Sequence, residues 1–198
     1  MVAVDAEQIT MLREVLSTTG WLERTREFGR ALRVTSRTPG GLLLVGTPAG
    51  DPWHLAAHLD DESRLGDAPG LAPTLVRWKP PADAPAHLRI GLDRLEAARR
   101  GETLFVVAEE DAPVPLLERV DDARRTGASI LALEGGDREL RGLAHEVLTV
   151  PPDEVLMSFD GAQHLVSAAA GQEPARTPRG IRHRLAKLLD AVSGPVVD

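Results

Sequence analysis

The spacing of hydrophobic residues changes repeatedly along the chain and predicts an alternation of strands and helices. Short apolar runs are typical of strands buried on both faces, and they predict strands at residues 42–45, 74–78, 103–108, 129–133 and 147–150. Helical segments between these runs supply the crossovers that parallel strands require. The pattern therefore predicts an α/β fold, with helices on both faces of a five-stranded parallel sheet.

The predicted helices begin with a pair at residues 5–34, broken near residues 17–20. Helical spacing then predicts helices at 51–59, 86–100, 113–125 and 137–144, with a loop at 61–73. Asp51 as N-cap and Pro52 in the first turn begin the helix at 51, while Gly101 and Gly127 end two others. Two further helices, 154–170 and 179–192, follow the last strand and are joined by a linker at 172–178.

The length of 198 residues fits a single domain, which we interpret as a three-layer sandwich. Its expected parts are an N-terminal helical hairpin at 1–38, an α/β core at 40–152 and two C-terminal helices at 153–198. In such a sheet, ligands bind at the carboxyl ends of the strands. We therefore expect the ligand site at the loops that follow Val45, Ala108 and Leu133.

Composition excludes several classes of function. The net charge is −7, and no basic block follows the pattern of a phosphate-backbone binder, so we expect no nucleic acid partner. The absence of cysteine excludes disulfides, thiolate metal sites and a cysteine nucleophile. No basic-then-apolar leader and no apolar run of ~18 residues is present, so we expect a cytoplasmic protein with no membrane partner.

Two of the loops at the strand ends have contrasting chemistry. The first contains Gly46, Thr47, Gly50 and Asp51 and leads into a helix whose backbone N–H groups can hold an anion. The second reads Glu109-Glu110-Asp111 and would repel an anion; the alternative interpretation is a solvated acidic turn before a helix. Glu134 follows the fourth strand and is a further candidate ligand-binding residue.

A histidine pair is the candidate for metal chemistry. His54 and His58 are four residues apart on a predicted helix, a spacing that lets two imidazoles share one metal ion. Candidate further ligands are Gln163, His164 and Asp160 on the helix after the fifth strand. The alternative is that these are ordinary surface or half-buried side chains.

The order of elements and three sequence stretches resemble the sugar isomerase (SIS) domain. Residues 101–107, G-E-T-L-F-V-V, resemble its "gDvvi" strand, residues 120–132 its "Ak-x-x-Ga-x-vIaI" stretch and residues 140–150 its "LA-x-x-aD-x-vl-x-v" ending. The resemblance covers about residues 40–152. It implies a phosphosugar at the strand ends.

Phosphoheptose isomerases of that family carry D-x-x-H-F-A-A-E-L, and residues 51–59 read D-P-W-H-L-A-A-H-L. The resemblance implies that His54 is a zinc ligand and that His58, at the position of the catalytic Glu, is a base or a metal ligand. Gln163 and His164 only approximate the family's later Gln and His. The family's phosphate loop, S-x-S-G-x-T, reads A-E-E-D-A-P at residues 108–113, so its hydroxyls are missing.

Three functions follow from these observations. The first is a diverged SIS-domain protein that binds a carbohydrate derivative, such as a phosphosugar, with little or no isomerase activity. The alternatives are a non-catalytic oligomerisation or regulatory domain without a sugar ligand, and a metal-dependent aldose–ketose isomerase. The cofactor is unknown, with a divalent metal such as zinc as the candidate.

We expect a homodimer or homotetramer. Leu12, Leu16, Trp21 and Phe28 provide more apolar surface than one sheet face needs, and the resemblance implies assembly through such helices. Light scattering at micromolar concentrations should give at least twice the mass of one chain. The mass of a single chain across that range would contradict the expectation.

Overall fold

Five parallel strands form the centre of the fold in the computed structural model, which describes residues 19–83, 85 and 88–172. The strands are Leu42–Val45 (β1), Pro73–Val76 (β2), Thr103–Ala108 (β3), Ser129–Glu134 (β4) and Glu146–Thr149 (β5). Their order is β2-β1-β3-β4-β5, and every neighbouring pair is parallel. The five predicted strands and the parallel sheet are therefore confirmed.

Helices cover both faces of the sheet. They are Trp21–Thr35 (α1), Trp53–Leu65 (α2), Asp93–Glu96 (α3), Val114–Arg125 (α4), Arg138–Leu143 (α5) and Phe159–Gly171 (α6), with a short 3-10 helix at Pro69–Leu71. One core cluster joins α1, α2 and α6 to the sheet, and a second joins α3, α4 and α5 to the opposite face. The described part of the chain thus has three layers.

The alternation of side chains along β3 connects the two cores. Phe105 and Val107 pack into the α1/α2/α6 layer, where the ring of Phe105 lies 5.4 Å from that of Phe28. Leu104 and Val106 pack into the α3/α4/α5 layer. Because successive strand residues point to opposite faces, a continuous apolar run is what a strand between two helical layers requires.

Three predicted helices have different limits in the structure. The predicted helix 86–100 is reduced to α3, because the segment before it extends the sheet edge: the Arg77 N–H donates to the Ile90 carbonyl at 2.8 Å. Helix α2 continues past its predicted end at residue 59 and ends at Leu65, inside the predicted loop 61–73, and it buries Leu59 and Ser63 on its inner face. Helix α6 begins at Phe159, later than the predicted residue 154. Ser158 is its N-cap, and the Ser158 hydroxyl accepts a hydrogen bond from the Gly161 N–H.

The sequence predicts that Leu12, Leu16, Trp21 and Phe28 leave apolar surface exposed for assembly, and this prediction is wrong for Trp21 and Phe28. Trp21 is 1% exposed and Phe28 is 3% exposed, since α6 and the sheet cover them within the same chain. Leu12 and Leu16 lie outside the described residues, as do the first of the two predicted N-terminal helices and the predicted helix 179–192. No helix in the described ranges is long and apolar enough to cross a membrane.

The contact between α1 and α6 supplies a test of this packing. A Cβ added at Gly29 would lie 2.7 Å from the Ala169 Cβ and 2.8 Å from the Ala170 backbone nitrogen, so the helices would have to separate. We expect Gly29→Ala to lower the free energy of unfolding by about 1–3 kcal/mol, as overpacked cores do. Urea denaturation measures this change.

Gly142→Ala is the matched control. Gly142 lies in α5, and a Cβ there meets nothing within 4 Å. Alanine is the better helix former, so this variant should be neutral or more stable by up to about 1 kcal/mol. Equal effects of the two substitutions would contradict the close helix contact.

Candidate functional site

A cleft of about 210 Å³ lies at the carboxyl ends of β1 and β3. β1 has β2 on one side and β3 on the other, so the crossovers after β1 and β2 lead to opposite sides of β1. Such a switch point is where open parallel sheets form a ligand crevice. The lining residues are Thr47, Ala49, Gly50, Asp51, Pro52, Trp53, His54, Val107, Glu109, Glu110, Phe159, Asp160 and Gln163.

The β1–α2 loop forms one wall of the cleft. It turns tightly, with the Gly50 N–H donating to the Thr47 carbonyl at 3.1 Å. A Cβ at Gly46 would overlap the Gly50 carbonyl, so the turn requires glycine at position 46. The Gly46 carbonyl itself accepts a hydrogen bond from Trp78 Nε1 at 2.9 Å, which ties the loop to the end of β2.

Asp51 differs from the prediction that it caps α2. The residue at the N-cap position is Pro52, and no side chain caps this helix. The Asp51 carboxylate instead lies 3.9 Å from Arg77 Nε, near the end of β2. The predicted ligand-binding residues Thr47, Gly50 and Asp51 all line the cleft, whereas Gly46 supports the turn behind it.

Hydrogen bonds join the loop after β3 to the loop after β4. Asp137 Oδ2 accepts a hydrogen bond from the Ala112 N–H at 2.8 Å, and the Gly135 N–H donates to the Ala108 carbonyl at 2.9 Å. Gly135 also packs so closely that a Cβ would overlap the carbonyl of Glu109. These contacts fix the backbone from which the exposed Glu109 and Glu110 side chains enter the cleft.

Glu134 lies elsewhere. Its side chain is fully buried, and it accepts hydrogen bonds from the Gly136 N–H at 2.5 Å, from Arg141 at 3.0 Å and from the Thr149 hydroxyl. The carboxylate therefore joins β4 to α5 and β5. It is not among the residues that line the cleft, although the sequence made it a ligand-binding candidate.

The charge of the cleft is strongly negative. Among the described residues that line it, none is Lys or Arg, and four are carboxylic acids: Asp51, Glu109, Glu110 and Asp160. The N-termini of α2 and α6 also reach the cleft, and their partial positive charge is about half an elementary charge each. This partial positive charge is smaller than the charge that four ionised carboxylates carry.

The histidines are divided between two environments. His54 lines the cleft, and its ring centroid lies 3.5 Å from that of Trp53. His58 lies between α2 and α6, with its ring 4.5 Å from that of His164 in an edge-to-face arrangement. His164 is almost buried, and its Nε2 lies 3.4 Å from Asp160 Oδ2.

The predicted metal site does not fit this arrangement. Among the residues that the structure describes, no group of three or more His, Asp or Glu side chains is positioned to hold a metal ion. Gln163 lines the cleft beside His54, whereas His58 and His164 face each other between two helices. His54 and His58 lie one turn apart on α2, and among the described residues no third His, Asp or Glu completes a metal site with them.

Sequence reasoning did not identify Trp53, Val107 or Phe159 as site residues. Val107 and Phe159 are buried apolar residues that form the floor of the cleft, so no polar motif could have indicated them. Trp53 is different, because a tryptophan in the first turn of a helix that leaves the switch-point loop was a signal available in the sequence.

Comparison with solved structures gives matches over nearly the whole chain. A protein from Silicibacter pomeroyi DSS-3, provisionally described as a phosphosugar isomerase, is 14% identical with a TM-score of 0.55, and the match covers 94% of this chain and 53% of that one. The sugar isomerase domain of an RpiR transcription factor from Sphaerobacter thermophilus is 17% identical with a TM-score of 0.52, covering 93% and 94%. The chain has the sugar isomerase domain fold.

A third match is a protein from Salmonella typhimurium LT2, provisionally described as sugar binding, at 16% identity and a TM-score of 0.53. This match covers 93% of this chain and 52% of the Salmonella protein. The chain therefore spans about half the length of the Salmonella and Silicibacter proteins. No protein family profile and no curated protein sequence matches. The resemblance noted in the sequence is therefore confirmed for the fold.

The His58 environment predicts how stability depends on pH. The pKa of His58 lies below its ordinary value of 6.5, first because burial disfavours the charged imidazole and next because His164 repels a positive charge. His54 acts in the same direction, while Asp61 and Asp160 oppose it. The unfolded chain therefore binds a proton near pH 6.5, whereas the folded chain binds it only at lower pH.

The contribution of His58 to stability is thus complete above pH 6.5 and declines as the pH falls through the lowered folded pKa. We expect the melting temperature to fall between about pH 7.5 and about pH 5.5, and to fall less in His58→Gln, which cannot titrate. Calorimetry of both proteins measures the difference. Parallel pH dependences would contradict the assignment.

Proposed function

We propose that this protein binds a sugar or sugar derivative in the cleft and has little or no phosphosugar isomerase activity. The observation that carries the proposal is the lining of the cleft at the ligand crevice of a parallel sheet, to which residues 19–172, as far as they are described, contribute four carboxylates and no Lys or Arg. Carboxylates accept hydrogen bonds from hydroxyl groups, which a sugar supplies around its ring.

The loss of phosphate donors supports the low activity. The segment 108–113 contains no serine or threonine, and Glu109 and Glu110 extend from it into the cleft. Each charge-assisted hydrogen bond to a phosphate oxygen contributes roughly 1.5–3 kcal/mol, so the loss of several weakens binding by orders of magnitude. Repulsion by the carboxylates adds to that loss.

The position of the expected base also supports the low activity. A general base has to lie within hydrogen-bond distance of the proton that it removes. His58, the catalytic candidate from the sequence, packs against His164 between α2 and α6 and is outside the described lining of the cleft. His54 lines the cleft.

A second candidate function is a ligand-sensing domain without catalysis. It is favoured by the similarity to the sugar isomerase domain of a transcription factor, which this chain covers over 94% of its length. A sensing domain needs the same cleft but no base or metal. Both candidates therefore share sugar binding and differ in what the bound sugar causes.

The test of the proposed function is turnover and binding measured side by side. Sedoheptulose, fructose and glucosamine phosphates, each with and without zinc, should show no turnover above the uncatalysed rate. Glucose, galactose, glucosamine and N-acetylglucosamine should include at least one sugar that raises the melting temperature, because a ligand stabilises the folded state by mass action. Robust turnover that disappears in His54→Ala or His58→Ala would overturn the proposal.

A pair of variants tests whether the carboxylates of the cleft weaken the binding of a phosphorylated sugar. The double variant Glu109→Gln, Glu110→Gln removes two negative charges from the cleft and should bind fructose 6-phosphate more tightly than the unmodified chain does. Glu118→Gln removes a charge from the exposed face of α4 and should leave binding unchanged. If the unmodified chain, the double variant and Glu118→Gln bound fructose 6-phosphate equally, the carboxylates of Glu109 and Glu110 would not determine the affinity for a phosphorylated sugar.

A further inference from the structure

Trp53 is a large apolar side chain at a polar cleft. It is 57% exposed, although it is the first residue of α2 and lines the cleft beside Asp51 and Glu110. The chain's other two tryptophans have intramolecular partners: Trp21 is buried and donates to Glu154, and Trp78 donates to the Gly46 carbonyl. Trp53 therefore presents an indole surface to whatever enters the cleft.

The backbone of Trp53 is held by the start of α2, and its indole contacts a neighbouring ring. Its backbone N–H donates to the Asp51 carbonyl at 2.8 Å, and the helix continues from Pro52, whose carbonyl accepts from Ala56 at 3.0 Å. The indole packs on the His54 ring at an interplanar angle of 59°. A tryptophan has few side-chain torsion angles, so it loses little conformational freedom on binding and more of its contact energy contributes to affinity.

We propose that Trp53 determines the specificity of the cleft by stacking on the apolar C–H face of an unphosphorylated sugar ring. This inference rests on the proposed function and names the chemistry of its ligand. A sugar ring has an apolar face of C–H groups and a rim of hydroxyl donors. Trp53 matches the face, and the carboxylates of Asp51, Glu109, Glu110 and Asp160 match the rim.

The indole and the carboxylates have complementary roles in binding a sugar. An aromatic surface removes C–H groups from water without requiring a counter-charge, whereas the carboxylates bind only groups that donate hydrogen bonds. A phosphate on the rim would meet the acidic loop after β3 instead of a donor. The cleft thus selects a neutral or amino sugar on the basis of both its face and its rim.

The test compares the unmodified chain with Trp53→Phe, Trp53→Ala and Leu65→Ala, after circular dichroism has established that each is folded. Leu65 is a matched control, because it is 70% exposed on the same helix and lies outside the described lining of the cleft. Calorimetric titration with glucose, galactose, glucosamine and N-acetylglucosamine gives Kd for each protein. Acrylamide quenching of tryptophan fluorescence, compared between the unmodified chain and Trp53→Ala, separates the exposure of Trp53 from the contributions of Trp21 and Trp78.

We expect Trp53→Ala to weaken sugar binding by about tenfold or more, Trp53→Phe to retain most of the affinity and Leu65→Ala to equal the unmodified chain. Bound sugar should protect the unmodified chain from acrylamide and leave the quenching of Trp53→Ala unchanged. Tight sugar binding that survives Trp53→Ala would overturn this inference and leave the proposed function standing. If none of these sugars binds the unmodified chain, the proposed function fails, and this inference fails with it.

Discussion

Every residue of β1 and β3 is buried, so helices must cover both faces at the centre of the sheet. A ligand can then approach these strands only at their ends, and the carboxyl ends of β1 and β3 are where the crossovers after β1 and β2 lead to opposite sides. The same apolar runs that require two helical layers therefore determine the place of the cleft. Burial of the central strands controls both stability and access.

The electrostatics of the cleft arise from two opposing contributions. Parallel strands bring the N-termini of α2 and α6 to the cleft, and these favour an anion. The acidic side chains at Asp51, Glu109, Glu110 and Asp160 oppose this preference with full charges. Asp51 is partly offset by Arg77 at 3.9 Å. The helix N-termini and the acidic side chains of the cleft therefore act in opposite directions on an anion.

The parts of the fold that could be predicted from the sequence are those determined by local pattern. β1 and β3 have the predicted limits, since an apolar run between turn residues allows few alternatives. The helix predicted at 86–100 was mostly wrong, because pairing between Arg77 and the segment at Ile90 depends on a contact across the chain. The burial of Glu134 likewise depends on Thr149 and Arg141, which local spacing does not reveal.

The histidine pair shows the same limit at the site itself. A separation of four residues places His54 and His58 on one helical face, but their environments depend on what packs against each turn of that face. At the first turn α2 borders the cleft, so His54 meets Trp53 and solvent. One turn later α6 packs against α2, and His58 meets His164. Burial lowers the pKa of His58, so the imidazole there favours its neutral form in a helix contact rather than a charged form in the cleft.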